Sequence, residues 1–68
     1  MDYVAMGKKI KIRRVIMELT QEQLAEKVWI STSFMGHIER GTRALSVDTL
    51  YNLCAALGVS ADYLMGLQ

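Results

Sequence analysis

Only Trp29 and Ile30 separate the end of one short helical pattern from the serine that starts the next. Upstream of that link, Thr20-Gln21-Glu22-Gln23 has the form of a capping box. The Thr20 hydroxyl can accept from the backbone N–H of Gln23, while the Gln23 side chain reaches back to the backbone of Thr20. The helix it opens carries Leu24, Ala25 and Val28 on its inner side. Downstream, Ser31 is a good N-cap for a helix running to Arg40. Met35 and Ile38, spaced i, i+3, point inward from it, and Gly41 stands where a helix-ending glycine is wanted. So short a link leaves no slack, and the two helices must cross at a large angle.

The rest of the chain obeys the same punctuation. A first helix is predicted over about residues 4–18, with Met6, Ile10 and Met17 on one apolar stripe and Lys8, Lys9 and Lys11 mostly outside it. Ser46 caps a fourth helix with Leu50, Leu53, Cys54 and Leu57 inward and Gly58 at its end. Ser60 opens a last short turn containing Tyr63 and Leu64. There is no proline. The expected fold is all-α, five short helices in a single domain spanning residues 1–68. A chain this short buries only about 60% of the surface that it exposes when unfolded. Its single cysteine rules out an internal disulfide, and no Cys/His cluster offers four zinc ligands. The core must hold the fold alone, or a partner subunit must extend it.

Several function classes recede at this point. The opening MDYVAMGKKI lacks the continuous apolar region of a signal peptide, and no apolar run approaches the roughly 20 residues of a membrane span. No membrane partner is expected, and a reducing, cytoplasmic setting is. One histidine, one cysteine and no spacing that pairs a nucleophile with a base argue against an enzyme; no catalytic residue, metal or cofactor is expected. The net charge is only +1, but it is unevenly spread. All eight Lys and Arg lie in residues 1–43 against five acids, leaving +3 there, while residues 44–68 carry only Asp48 and Asp62. Such asymmetry is compatible with a polyanion-facing front, or simply with solvated helix faces.

The segment QEQLAEKVWISTSFMGHIERG, residues 21–41, meets several spaced requirements of a helix-turn-helix together. Ala25 is small where the two helices cross, Ile30 is apolar just after the turn, and Met35 and Ile38 face inward. Thr32, Ser33, Gly36 and His37 are then expected on the outer face. An ordinary helical hairpin in a bundle would satisfy the same spacing.

With these pieces in place, the chain resembles the phage Cro/repressor-type helix-turn-helix domains, the XRE family, over about residues 6–66. The resemblance rests on Arg14, on Thr20-Gln21-Glu22 with Leu24-Ala25, on Ile38-Glu39-Arg40-Gly41, and on Leu57-Gly58-Val59-Ser60 leading to Leu64. It implies a compact five-helix, lambda-repressor-like domain with its motif at about 21–40 and its recognition helix at about 31–40. In function it implies a transcriptional regulator, usually a repressor, that binds double-stranded DNA as a dimer. Residue by residue, it places Thr32, Ser33 and His37 as base readers, with Phe34 facing a thymine methyl or packing on the second helix. Gln21 becomes a phosphate contact that also braces the recognition helix, Ser31 and Thr42 further phosphate contacts, and Arg43 an added charge in the same loop. Arg14 and Glu39 match a structural pair that ties the first helix to the end of the third.

Two positions depart from the family pattern. Trp29 stands where glycine is common in the turn, at a cost of about 1 kcal/mol or more unless its ring buries well. Gly36 interrupts the recognition helix, at a cost of roughly 1 kcal/mol against alanine. The apolar tail Tyr63-Leu64-Met65-Gly66-Leu67-Gln68 exceeds what a terminal turn needs. It suggests a homodimer interface at Tyr63, Met65 and Leu67, suited to a palindromic operator. No small-molecule ligand is expected, since 68 residues leave no room for a sensor domain. The alternative is a protein-binding helical module, such as an antitoxin or adaptor.

Overall fold

Every helix in this chain starts and stops by one local device, and that device sets the architecture. The computed structural model describes residues 1–67; Gln68, the end of the apolar tail, lies outside the described residues. Five helices follow in order: α1 (Tyr3–Ile16), α2 (Gln21–Lys27), α3 (Thr32–Arg40), α4 (Val47–Leu57) and α5 (Ala61–Met65). Each opens on a short polar side chain, Asp2, Thr20, Ser31, Ser46 or Ser60, that accepts from a backbone N–H three residues on. The capping box at Thr20 forms both of its bonds, at 2.9 and 3.0 Å.

Each helix also closes on one left-handed residue followed by a backbone N–H that reaches five residues back. The bonds are Leu19 to Arg14, Ile30 to Ala25, Thr42 to His37, Val59 to Cys54 and Leu67 to Asp62, all between 2.9 and 3.1 Å. This is the Schellman arrangement, which satisfies helix-end carbonyls that would otherwise lack partners. Glycine supplies the left-handed residue three times, but Glu18 (φ 59°) and Trp29 (φ 66°) supply it twice. Trp29 is 86% exposed. Its ring therefore does not offset the strain by burial, and the turn keeps its geometry regardless.

The core is built from Met6 and Ile10 of α1, Leu24 and Ala25 of α2 with Val28, Met35 and Ile38 of α3, Leu53 and Leu57 of α4, and Leu64 of α5. α1 lies tightly on the end of α3. A Cβ on Gly7 would fall 2.3 Å from the carbonyl oxygen of Ile38, and one on Gly41 2.5 Å from the Cα of Val4. Backbone meets backbone at both positions, so neither tolerates a side chain.

Three sequence expectations need correction. α1 ends at Ile16, before the left-handed turn at Glu18, which carries Met17 off the core to 39% exposure. The buried stripe runs instead through Met6, Gly7, Ile10 and Arg14. On α4, Leu50 and Cys54 are only half-buried, and Thr49 is buried, accepting from the Ser46 hydroxyl at 3.1 Å. Burial pushes the Cys54 thiol upward in pKa.

Candidate nucleic-acid interface

The inner side of α3 is locked. Met35 and Ile38 are in the core, and Glu39 is buried against Arg14. The Arg14 Nε donates to Glu39 Oε2 at 2.6 Å and Nη2 donates to Oε1 at 3.1 Å, while Nη1 donates to the Leu19 carbonyl at 2.8 Å. Gln21 Nε2 adds a further bond to Glu39 Oε1 at 2.9 Å. The start of α2, the end of α1 and the end of α3 are thus tied at one carboxylate. Charge-assisted, two-pronged bonds of this kind fix geometry as well as adding energy. The Gln21 amide has a second hydrogen left to donate.

The outer side is presented to solvent. Thr32 and Ser33 are exposed, and His37 is half-buried between them and the loop that follows. The Ser31 oxygen accepts from the Phe34 backbone at 3.0 Å, which leaves its hydroxyl hydrogen to donate elsewhere. The Thr42 hydroxyl lies 3.3 Å from the His37 carbonyl, to which it donates, and 2.8 Å from His37 Nδ1. The direction of the Nδ1 contact follows the ring's tautomer, and Nε2 is the outward nitrogen. It donates or accepts according to that tautomer. Phe34 packs partly on the core, with the Arg43 guanidinium 5.5 Å from its ring centre. Ile30, Ser31, Ser33, Phe34, His37 and Arg43 line one open cleft of about 400 Å³. The structure thus gathers Ser31, Ser33, Phe34, His37, Thr42 and Arg43 at the N-terminal side and following loop of α3, and turns Gln21 toward Glu39.

Gly36 differs from expectation. It is buried, although its helical position is on the outer half of α3. The Arg40 guanidinium lies over it, with Nη1 3.0 Å from where a Cβ would stand and both Cζ and Nη2 at 3.7 Å. Arg40 itself is exposed. Sequence reasoning assigned it no role beyond the Ile38-Glu39-Arg40-Gly41 motif. Its spacing, seven residues after Ser33 and three after His37, is the signal that puts it on the same face.

At the far end, Tyr63 and Leu67 are exposed, at 42% and 69%. Met65 packs partly on the core. Lys9 of α1 donates to the Tyr63 carbonyl at 2.8 Å and sits 5.0 Å from its ring centre, so this end is not free of cations. Beside Tyr63, a groove of about 270 Å³ leads to Ile12 and Ile16, which are 60% and 64% exposed.

The packed inner face, displayed outer face and tight turn of α2 and α3 define a helix-turn-helix domain. The model of the family described as Helix-turn-helix matches residues 10–64. The chain belongs to that family, in its XRE, Cro/repressor-type branch. It is 38% identical over 63 residues to the immunity repressor protein of Bacillus phage phi105, covering 93% of this chain and 44% of that one. Its fold is similar to the restriction-modification controller protein C.AhdI from Aeromonas hydrophila, with a TM-score of 0.86, 32% identity and coverage of 93% and 96%. It is similar also to SinR, the master regulator for biofilm formation, in complex with DNA, with a TM-score of 0.81, 31% identity and coverage of 88% and 97%. The chain spans about half the length of the curated relatives it matches.

Proposed function

We propose that this chain is the sequence-specific, double-stranded DNA-binding domain of a transcriptional regulator, a repressor, that inserts α3 into the major groove. One observation carries the reading. α3 is fastened on its inner side by Met35, Ile38 and the Arg14–Glu39–Gln21 network, and it leaves a polar outer side uncovered. A helix needed only for packing has no use for such bracing beside bare Thr32 and Ser33. The family relationship points the same way, since a similar domain was solved in complex with DNA.

In this reading Ser33 and His37 meet base edges, Thr32 lies at the edge of the same face, and the Phe34 ring offers an edge to a thymine methyl. His37 Nε2 either donates to a guanine acceptor or accepts from the amino group of adenine or cytosine, according to the ring's tautomer. Ser31, Thr42, Arg43 and the spare Gln21 amide hydrogen hold phosphates and set register without reading sequence. The domain works in the cytoplasm, without catalysis or cofactor. A homodimer would place two copies of α3 on half-sites about 10–10.5 base pairs apart. Tyr63, Leu67 and the neighbouring Ile12–Ile16 face offer the contact surface, with Met65 lending support from beneath.

A titration with random duplex at rising salt tests the reading. The expected result is binding at low salt that weakens linearly in log–log form, with a slope set by the number of phosphates neutralised. No binding at the lowest salt would overturn it in favour of a protein-binding module.

A further inference from the structure

Short side chains dominate the outer face of α3: Thr32, Ser33 and a glycine at position 36. Hydroxyls make single hydrogen bonds to several bases and discriminate weakly, whereas arginine bonds guanine O6 and N7 together, the commonest specific contact in the major groove. The face holds one residue of that power, Arg40. Its Cα is at the last residue of α3. Helix side chains lean toward the N-terminus, so an arginine there can reach back toward the part of the helix where base edges are met.

The structure shows that reach. The guanidinium reaches back one turn, about 5.4 Å along the axis, and lies over Gly36 with Nη1 nearest. Three of its atoms stand 3.0 to 3.7 Å from the point where any other residue would carry its Cβ. A methyl at position 36 would press on Nη1, and the guanidinium would have to shift to make room for it. Arg40 forms no ion pair among the described residues, so its donors remain available. Ser33 and His37 precede Arg40 by two turns and one turn on the same face of the helix.

We propose that Arg40, seated over Gly36, reads a guanine in each half-site, and that Gly36 is its positioning residue. This rests on the reading of the chain as a DNA-binding domain and goes beyond it by naming one base and the side chain that selects it. It also gives a reason for a glycine in mid-helix, where alanine would hold the helix better.

The test compares dissociation constants of the wild type, Arg40→Ala, Arg40→Lys, Gly36→Ala and the Gly36→Ala/Arg40→Ala pair. The probes are a random duplex and the selected site with each base pair changed in turn. The wild type should favour guanine at one position by about 5- to 150-fold. Arg40→Ala should erase that preference and keep the others. Arg40→Lys, which keeps the charge and loses the two-pronged geometry, should lose most of it. Gly36→Ala should reduce the same preference several-fold while thermal stability holds or rises, a combination that a merely structural glycine would not give. In the Arg40→Ala background Gly36→Ala should change that preference no further. An even loss on all sequences with a shallower salt slope would make Arg40 a phosphate contact and overturn the assignment. Independent effects of the two substitutions would overturn the role of Gly36. A wild type that selects a sequence unaffected by Arg40→Ala sinks this inference alone; a wild type that prefers no duplex sinks it together with the DNA-binding reading.

Discussion

Glu18 and Trp29 hold conformations that their side chains disfavour. Trp29 sits in the left-handed region, where a non-glycine residue costs roughly 1–2 kcal/mol, and its ring contributes little burial in return. Trp29→Gly is therefore expected to stabilise the domain by about 1 kcal/mol, after allowing for the greater freedom of glycine in the unfolded chain. For a domain of this size that is a rise in melting temperature of about 4–8 °C, measurable by circular dichroism. A fall would mean that the ring holds something the strain argument omits. Glu39 is the opposite case, since its carboxylate is bonded by both Arg14 and Gln21. Glu39→Ala strands a buried guanidinium and should cost about 3–5 kcal/mol. Glu39→Gln retains one acceptor and should cost less. Equal losses in urea melts would show that the charge matters and the bonding geometry does not.

At the scale of elements, most of the punctuation was legible in the sequence because it is local. A serine and the N–H three residues on, or Thr20 and Gln23, are neighbours in any helix, so the N-caps and the pairing of α2 with α3 could be read without knowing the fold. The Arg14–Glu39 tie spans 25 residues and became visible only through family resemblance. What stayed hidden depends on contacts between distant segments. Nothing in the neighbourhood of Gly7 announces that it touches the end of α3. Met17 lost its place on the apolar stripe to a left-handed residue that is not glycine. Arg40 was passed over because its outward direction matters only once its guanidinium is seen over Gly36. Gly7 supplies the test. A methyl there would stand 2.3 Å from the Ile38 carbonyl, a backbone atom that cannot swing away. Despite alanine's higher helix propensity, Gly7→Ala should destabilise the domain by about 1–3 kcal/mol or more. Unchanged stability would mean that α1 slides freely over α3, and that α3 is less firmly fixed than described.

For the whole molecule, charge and exposure divide the surface. The +3 segment, residues 1–43, holds the outer face of α3, and the more acidic end carries exposed Tyr63 and Leu67. If copies pair there, Leu67→Asp should weaken cooperative binding to a palindromic duplex about tenfold or more while the helical circular dichroism is kept. Met65 is a poorer place for such a charge, because it packs on the core. Sedimentation on the duplex should show two protomers for the wild type and fewer for the variant. Two protomers for both would move the interface toward Ile12 and Ile16.

The central claim is that the outer face of α3 reads DNA sequence. Selection from a random duplex pool, run in parallel with the wild type, Ser33→Ala and His37→Ala, tests it most directly. The expected result is a twofold-symmetric sequence with half-site centres about 10–10.5 base pairs apart. Each variant should relax the preference at its own position by about 1–3 kcal/mol. An unenriched pool, or one sequence selected alike by all three proteins, would contradict the account.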